Sequence, residues 1–176
     1  MKKLLLAVAL LVVTISNAQK GSMLLGGYVG FASEKIGDSK EENFEFSPKI
    51  GYQFADKWTA GVEGSVITFK TTGLEKSERY KVGGFLRYAT PLSETFSVYA
   101  DLGAGYQNTS LNNAKGMYAS LTPALFINMK RGFGLNFSIG GVNYDNIDGK
   151  NDPREERLGF NFGKTFNIGI SKNFGL

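Results

Sequence analysis

Over most of its length the chain alternates apolar and polar residues with a period of two, the spacing of a β-strand that has one oily and one wet face. Phe44, Phe46, Ile50, Tyr52 and Phe54 alternate with Glu45, Ser47, Lys49, Gly51 and Gln53. Towards the C-terminal end Phe166, Ile168, Ile170, Phe174 and Leu176 alternate with Thr165, Asn167, Gly169, Ser171, Asn173 and Gly175. Eight stretches behave this way, at 22–32, 43–55, 58–70, 80–90, 95–107, 116–128, 132–143 and 158–176. Outside residues 4–13 there is no sustained 3.6-residue period, and 23 Gly, 14 Phe and 8 Tyr among 176 residues suit pleated sheet better than helix. The pattern predicts an all-β protein.

Residues 1–18 are read apart from that fold. Lys2 and Lys3, an apolar run over 4–13 and Ser16-Asn17-Ala18 have the three-part layout of a secretory signal peptide, with cleavage expected after Ala18. Ten apolar residues fall well short of the ~20 that a spanning helix needs. Residues 19–176 then form one domain, with no Pro/Ser-rich linker inside it. The absence of Cys leaves no disulfide framework, no thiolate metal site and no thiol for a lipid anchor. Setting aside Lys2 and Lys3 leaves 18 basic against 16 acidic residues, a balance that speaks against nucleic acid as a partner.

The connections alternate as well. Residues 56–57, 91–94 and 129–131 are short links, whereas 33–42, 71–79, 108–115 and 144–157 are longer, polar and charged. An even number of antiparallel strands with short turns at one rim and long loops at the other is the plan of an up-and-down transmembrane barrel with both termini periplasmic, and the stretches exceed the ~9–11 residues that a tilted spanning strand requires. A soluble lipocalin-like barrel also alternates, with its apolar face inside. The bulk of Ile50, Tyr52, Val62, Val66, Leu86, Leu102, Leu121, Leu125, Leu135 and Phe137 is too great for an eight-stranded interior, so the apolar face is expected outside.

Aromatic residues sit near the ends of these stretches. Phe54, Trp58, Tyr88, Phe96 and Phe133 flank the short turns, and Phe31, Phe44, Tyr80, Tyr106 and Phe160 approach the long loops, the placement of two interfacial girdles. Three features cut across the pattern. Lys164 and Lys172 fall on the lipid-facing phase of the last stretch, and Lys172 is near enough to its end to snorkel. Pro48 and Pro123 lack the N–H of a continuous ladder, so each predicts a bulge or a missing bond.

On the wet face stand Glu45, Lys49, Glu63, Lys81, Arg87 and Asp101, three acids and three bases. They are expected to neutralise one another as a lumen plug, since an unpaired ion in a confined interior is costly. A selective pore or proton path is the other reading. Without His or Cys the chain has neither the usual base of a Ser triad nor a thiolate nucleophile, and no catalytic, cofactor-binding or metal site is assigned. Gly159 to Thr165, GFNFGKT, resembles a phosphate-binding loop but has three residues between its glycines where four are required, and it lies within an alternating stretch. Asp145, Asp148, Asn151 and Asp152 miss the spacing of an EF-hand loop and read as turn formers.

Phe46-Ser47-Pro48-Lys49-Ile50-Gly51-Tyr52, followed by Ala55-Asp56-Lys57-Trp58-Thr59-Ala60-Gly61-Val62, resembles the outer-membrane protein β-barrel domain family of small porin-like proteins from Gram-negative bacteria. Gly84-Phe85-Leu86-Arg87-Tyr88 is similar to that family's fourth strand. The resemblance implies an eight-stranded barrel in the outer membrane, delivered by periplasmic chaperones and inserted among outer-membrane lipids by the barrel-assembly machinery, without a defined enzymatic activity. Recognition of an extracellular ligand would then fall to the four surface loops. Two alternatives stay open: a narrow channel for small solutes or ions, and a soluble periplasmic barrel that binds an apolar ligand.

Overall fold

The computed structural model describes residues 21–110, 114–149 and 154–175, apart from the side chains of residues 36, 164–166 and 175. The expected leader at 1–18 and Leu176 lie outside the described residues, as do Asn151 and Asp152, and so does the side-chain placement of Lys164 and Phe166. Eight strands run β1 (Ser22–Ile36), β2 (Ser39–Ala55), β3 (Trp58–Thr71), β4 (Ser77–Pro91), β5 (Phe96–Thr109), β6 (Lys115–Lys130), β7 (Phe133–Asp148) and β8 (Glu155–Gly175). Each pairs antiparallel with its sequence neighbour, and β8 returns to β1 to close an up-and-down barrel. This is the all-β architecture that the period of two predicts.

The outward phase carries from strand to strand through the register. Phe46 of β2 faces Val29 of β1 and Val66 of β3, Ile50 faces Leu25 and Val62, and Leu102 of β5 faces Leu86 and Leu121. Like thus meets like on the outer face, where Val29, Val62, Val82, Leu102, Ile168 and Ile170 are exposed. The inner face has no room for many large groups, and small residues make the space that exists. Phe85 points inward and is buried, and a Cβ on Gly51 or Gly61 would come to 2.8 Å from its ring.

The strands are longer than the apolar alternation alone indicates. The stretch 33–42, expected as a loop, is mostly hairpin: Ser33 pairs with Glu42, Lys35 with Lys40 and Ile36 with Ser39 around Gly37 and Asp38. Beyond the apolar band both faces are wet, so a ladder there leaves no hydrophobic alternation to read. The same extension takes β3 to Thr71, β5 to Thr109 and β7 to Asp148. At the opposite rim, Arg131 and Gly132 both have positive φ, 50° and 75°, between paired Lys130 and Phe133. That is the backbone pattern of a two-residue type I′ hairpin, whose twist suits adjoining strands.

Both prolines mark irregular places in the ladder. β2 and β3 pair at Phe46–Val66 and again at Lys49–Glu63, with the rungs at Ser47 and Pro48 missing. Around Pro123, β6 and β7 shift register between Leu121 and Ala124. Lys172 reaches the short turn at the rim, where its Nζ donates to the Arg131 carbonyl at 2.6 Å.

Candidate functional site

The chemistry of this molecule is concentrated in the lumen. Because inward positions recur every second residue, neighbouring strands deliver polar side chains at matching heights. Arg87 of β4 stands directly opposite Asp101 of β5, and Lys49 of β2 directly opposite Glu63 of β3. Arg87 donates from Nε to Asp101 Oδ1 at 2.7 Å and from Nη2 to Oδ2 at 2.9 Å. Lys49 Nζ lies 2.9 Å from Glu63 Oε2 and reaches across the lumen to Asp101 Oδ2, also at 2.9 Å. Lys49, Glu63, Arg87 and Asp101 therefore meet in one cluster.

Aromatic side chains extend this cluster across the barrel. The Arg87 guanidinium sits 3.8 Å from the centre of the Tyr99 ring, and Lys49 Nζ lies 5.0 Å from that of Phe85. Such contacts add to the attraction of each cation for its carboxylate, more so where water is excluded. Tyr99 donates its hydroxyl proton to Asn136 Oδ1 at 3.0 Å, and Asn136 Nδ2 donates to Ser171 Oγ at 2.9 Å. Tyr118 of β6 donates to Glu63 Oε1 at 3.0 Å from the far side. Gly103 keeps this approach open, since a Cβ there would lie 2.4 Å from Glu63 Oε1.

The other two charges expected on this face have different partners. Lys81 Nζ pairs with Asp145 Oδ1 at 2.9 Å, and Gln107 Nε2 donates to the same oxygen at 2.9 Å. Asp145, expected in a turn, belongs to β7 and points inward. Asn136, Ser138 and Gly140 line the lumen and so do Asn143 and Asp145, so the inward phase of β7 reverses between Gly140 and Asn143, where β7 takes four steps against three of β6, and counting by twos from Phe133 puts Asp145 on the wrong side. Glu45 is held by hydroxyls: Tyr28 donates to its Oε1 at 2.7 Å, and Ser47 and Ser65 lie within 3.0 and 3.2 Å of the same oxygen.

Sequence reading also passed over the inward rings of Tyr28, Phe85, Tyr99 and Tyr118. Their phase was legible in places, since Phe85 lies two residues from Arg87 and Tyr99 two from Asp101. Beside the charged cluster remains a cavity of about 320 Å3. Among the described side chains, its wall on β6, β7 and β8 is uncharged apart from Asp145 and carries Ser120, Thr122, Asn143, Asn161, Asn167 and Ser171. Among the described residues, no three His, Cys, Asp or Glu side chains gather as a metal site.

The aromatic residues near the strand ends all lie exposed. Phe54, Trp58, Tyr88, Phe96 and Phe133 are at the short-turn rim, where the Trp58 and Tyr88 rings stand 4.9 Å apart and tilted by 58°. Phe31 faces Phe44 directly in the opposite half, with Tyr80, Tyr106 and Phe160 also exposed there.

No protein-family model matches the chain, and no curated protein matches it. Among solved structures it is similar to the outer-membrane protein OprG from Pseudomonas aeruginosa, at 14% identity and a TM-score of 0.52 over 90% of this chain and 98% of that one. Ail of Yersinia pestis, in a phospholipid bilayer nanodisc, matches at 16% identity and a TM-score of 0.42, covering 89% and 99% of the two chains. The outer-membrane enzyme PagL matches at 8% identity and a TM-score of 0.43, again over 89% and 99%. Closed antiparallel pairing of eight strands and the likeness to OprG together give this chain the fold of a small outer-membrane β-barrel.

Proposed function

We propose that the protein is a non-enzymatic integral barrel of the outer membrane, with a lumen closed by its own side chains and extended hairpins that carry recognition. The observation that supports this most directly is the division of chemistry between the faces. Charged side chains are paired inside, while Val, Leu, Ile and Phe cover the outside. In water that surface would far exceed the apolar patches of a few hundred Å2 found on soluble monomers, whereas a bilayer is its natural solvent. The two sets of exposed aromatics then lie at the two interfaces as girdles, and Lys172 snorkels to the nearer one.

In this reading residues 1–18 are the export leader of a mature domain 19–176. Periplasmic chaperones and the barrel-assembly machinery handle the chain before it meets outer-membrane lipids. Both termini face the periplasm, and the hairpins at Gly37, Gly73 and beyond Thr109 and Asp148 face outward to any extracellular ligand. The cross-lumen bonds of Lys49, Arg87, Asp101 and Tyr118 act as the plug. A narrow channel is the second reading, supported by the cavity of about 320 Å3 beside those bonds.

Cell fractionation, electrophoresis of boiled and unboiled protein in detergent, and planar-bilayer recording test these readings together. An outer-membrane band that shifts on heating, with no steady conductance, is the expected result. A conductance that persists after the hairpins are replaced by Gly/Ser turns favours the channel. A periplasmic protein that stays folded without detergent overturns the membrane reading.

A further inference from the structure

Acidic residues are unevenly spread along this chain. None stands between Asp101 and Asp145, and none follows Glu156. The rim-side parts of β6, β7 and β8 come from those stretches, and β1 carries no acid before Glu34. One flank of the short-turn rim is thus built without an acidic side chain, yet it carries Lys130, Arg131 and Lys172. Elsewhere cations find acids: Lys40 pairs with Glu42 and Arg154 with Glu156 on the hairpins, and Lys49, Lys81 and Arg87 pair inside the lumen. Among the described residues, no carboxylate forms an ion pair with Lys130, Arg131 or Lys172.

The register places two of these cations on the outer face. Phe133 of β7 lies opposite both Lys130 of β6 and Lys172 of β8, and Lys172 lies opposite Leu25 of β1. Ladder partners share a face, and Phe133 and Leu25 are exposed on the outer one. Lys130, Phe133, Lys172 and Leu25 therefore form one row across four strands, with an aromatic ring between two cations. The Lys172 ammonium lies 5.6 Å from the centre of the Phe174 ring and gives one N–H to the Arg131 carbonyl, which leaves two of its three donors for another acceptor. Arg131 and Lys130 are exposed. The adjoining turn brings Glu94, whose carbonyl accepts from Asn128 Nδ2 at 3.3 Å, while its carboxylate pairs with none of the three cations.

Girdle aromatics lie at the level of lipid headgroups, so cations in the row of Phe133 meet the phosphate layer of the leaflet. A phosphodiester can accept from two ammoniums and a guanidinium together, and Arg suits phosphate through two parallel N–H bonds. A zwitterionic lipid would bring an amine of its own, which finds no acidic side chain on this flank. An anionic lipid with a hydroxylated head brings none. We propose that the β6–β7 turn is a binding site for an anionic phospholipid, whose phosphodiester is held by Lys130, Arg131 and Lys172 while its acyl chains lie against Phe133, Leu25 and Ile170.

The site rests on the barrel being inserted in a bilayer, which heat-dependent mobility reports independently; a band that does not shift on heating removes the membrane reading itself. The test is an NMR titration of the protein in phosphatidylcholine nanodiscs with rising phosphatidylglycerol, and separately with phosphatidylethanolamine and with soluble glycerol phosphate. Phosphatidylglycerol is expected to give saturable shifts at the amides of Lys130, Arg131, Gly132 and Lys172, half-complete at about one tenth of the phosphatidylethanolamine fraction needed, and weaker at high salt. Lys57, in the turn diametrically across the rim, reports general attraction to an anionic surface and should shift without saturating. Lys130→Gln with Arg131→Gln keeps the Lys172 bond to the turn carbonyl and should weaken phosphatidylglycerol binding about tenfold. If that pair does not insert, Lys172→Gln should weaken it severalfold, and Lys57→Gln should leave it unchanged. Equal saturable shifts at Lys57, the same response to phosphatidylethanolamine, or undiminished binding in the neutralised variants would overturn the proposal. Saturation of the same amides by glycerol phosphate alone would show a soluble-anion site and overturn the lipid assignment.

Discussion

Arg87 lies directly opposite Asp101 on the β4–β5 ladder and grips both carboxylate oxygens, while Lys49 approaches the same carboxylate from β2, 52 residues earlier in the chain. One buried acid therefore serves two cations. This makes Asp101 the residue on which the lumen cluster depends.

Asp101→Ala is expected to cost about 3–5 kcal/mol, the penalty of leaving buried charge without its partner. Arg87→Leu combined with Asp101→Leu should cost clearly less, because Lys49 keeps Glu63. Urea unfolding of the three proteins from lipid vesicles checks this. A double variant no more stable than Asp101→Ala would mean that the charges do not act as a pair.

Inward glycines are expected to separate sharply from outward ones. A Cβ at Gly61 would lie 2.1 Å from the Ile50 carbonyl oxygen and 2.8 Å from the Phe85 ring, whereas at Gly84 the nearest atom is 3.5 Å away. Gly61→Ala should destabilise by about 1–3 kcal/mol through overpacking, and Gly84→Ala should be near neutral. The same unfolding measurement compares them.

Position along the barrel axis should set the cost of a charge on the outer face. Val62 is exposed within the apolar band, and Leu92 is exposed in the turn after β4. Val62→Arg is expected to cost about 2–4 kcal/mol and Leu92→Arg about 0–1. Equal effects in vesicles would place the bilayer elsewhere.

Above the girdle position of Tyr80, the Glu78 carboxyl is held below the ordinary carboxylate range by hydrogen bonds from Lys76 and then from the Tyr80 hydroxyl. A depressed acid stabilises the fold at pH values above its unfolded pKa, and that contribution fades as the pH falls through the folded value. Solvent reaches this carboxyl, and screening keeps the effect small. Carboxyl-detected NMR should show Glu78 titrating below the ordinary glutamate range, and Lys76→Ala should move it back towards that range.

The division of the chain into strands and faces was legible because alternation is a local property: each residue's side follows from its neighbour's. Phe44, Ile50, Val62, Leu102 and Phe133 are outside, and Lys49, Glu63, Arg87 and Asp101 inside, from counting by twos alone. That rule failed where the ladder was irregular. Before Asp145 an extra residue on β7 against β6 reversed the phase, and at 33–42 a two-sided polar hairpin had no phase to read.

Pairing across the lumen obeys a different physics. Which acid meets which base depends on strand stagger and on the depth each side chain reaches, so Lys49 finds Asp101, and Lys81 finds Asp145 at a separation of 64 residues. The extent of the β1–β8 ladder is of the same kind. Nothing in the composition of β1 or β8 announces that pairing stops at Tyr28 and Gly169, because closure joins the two strands farthest apart in sequence and inherits every bulge between them.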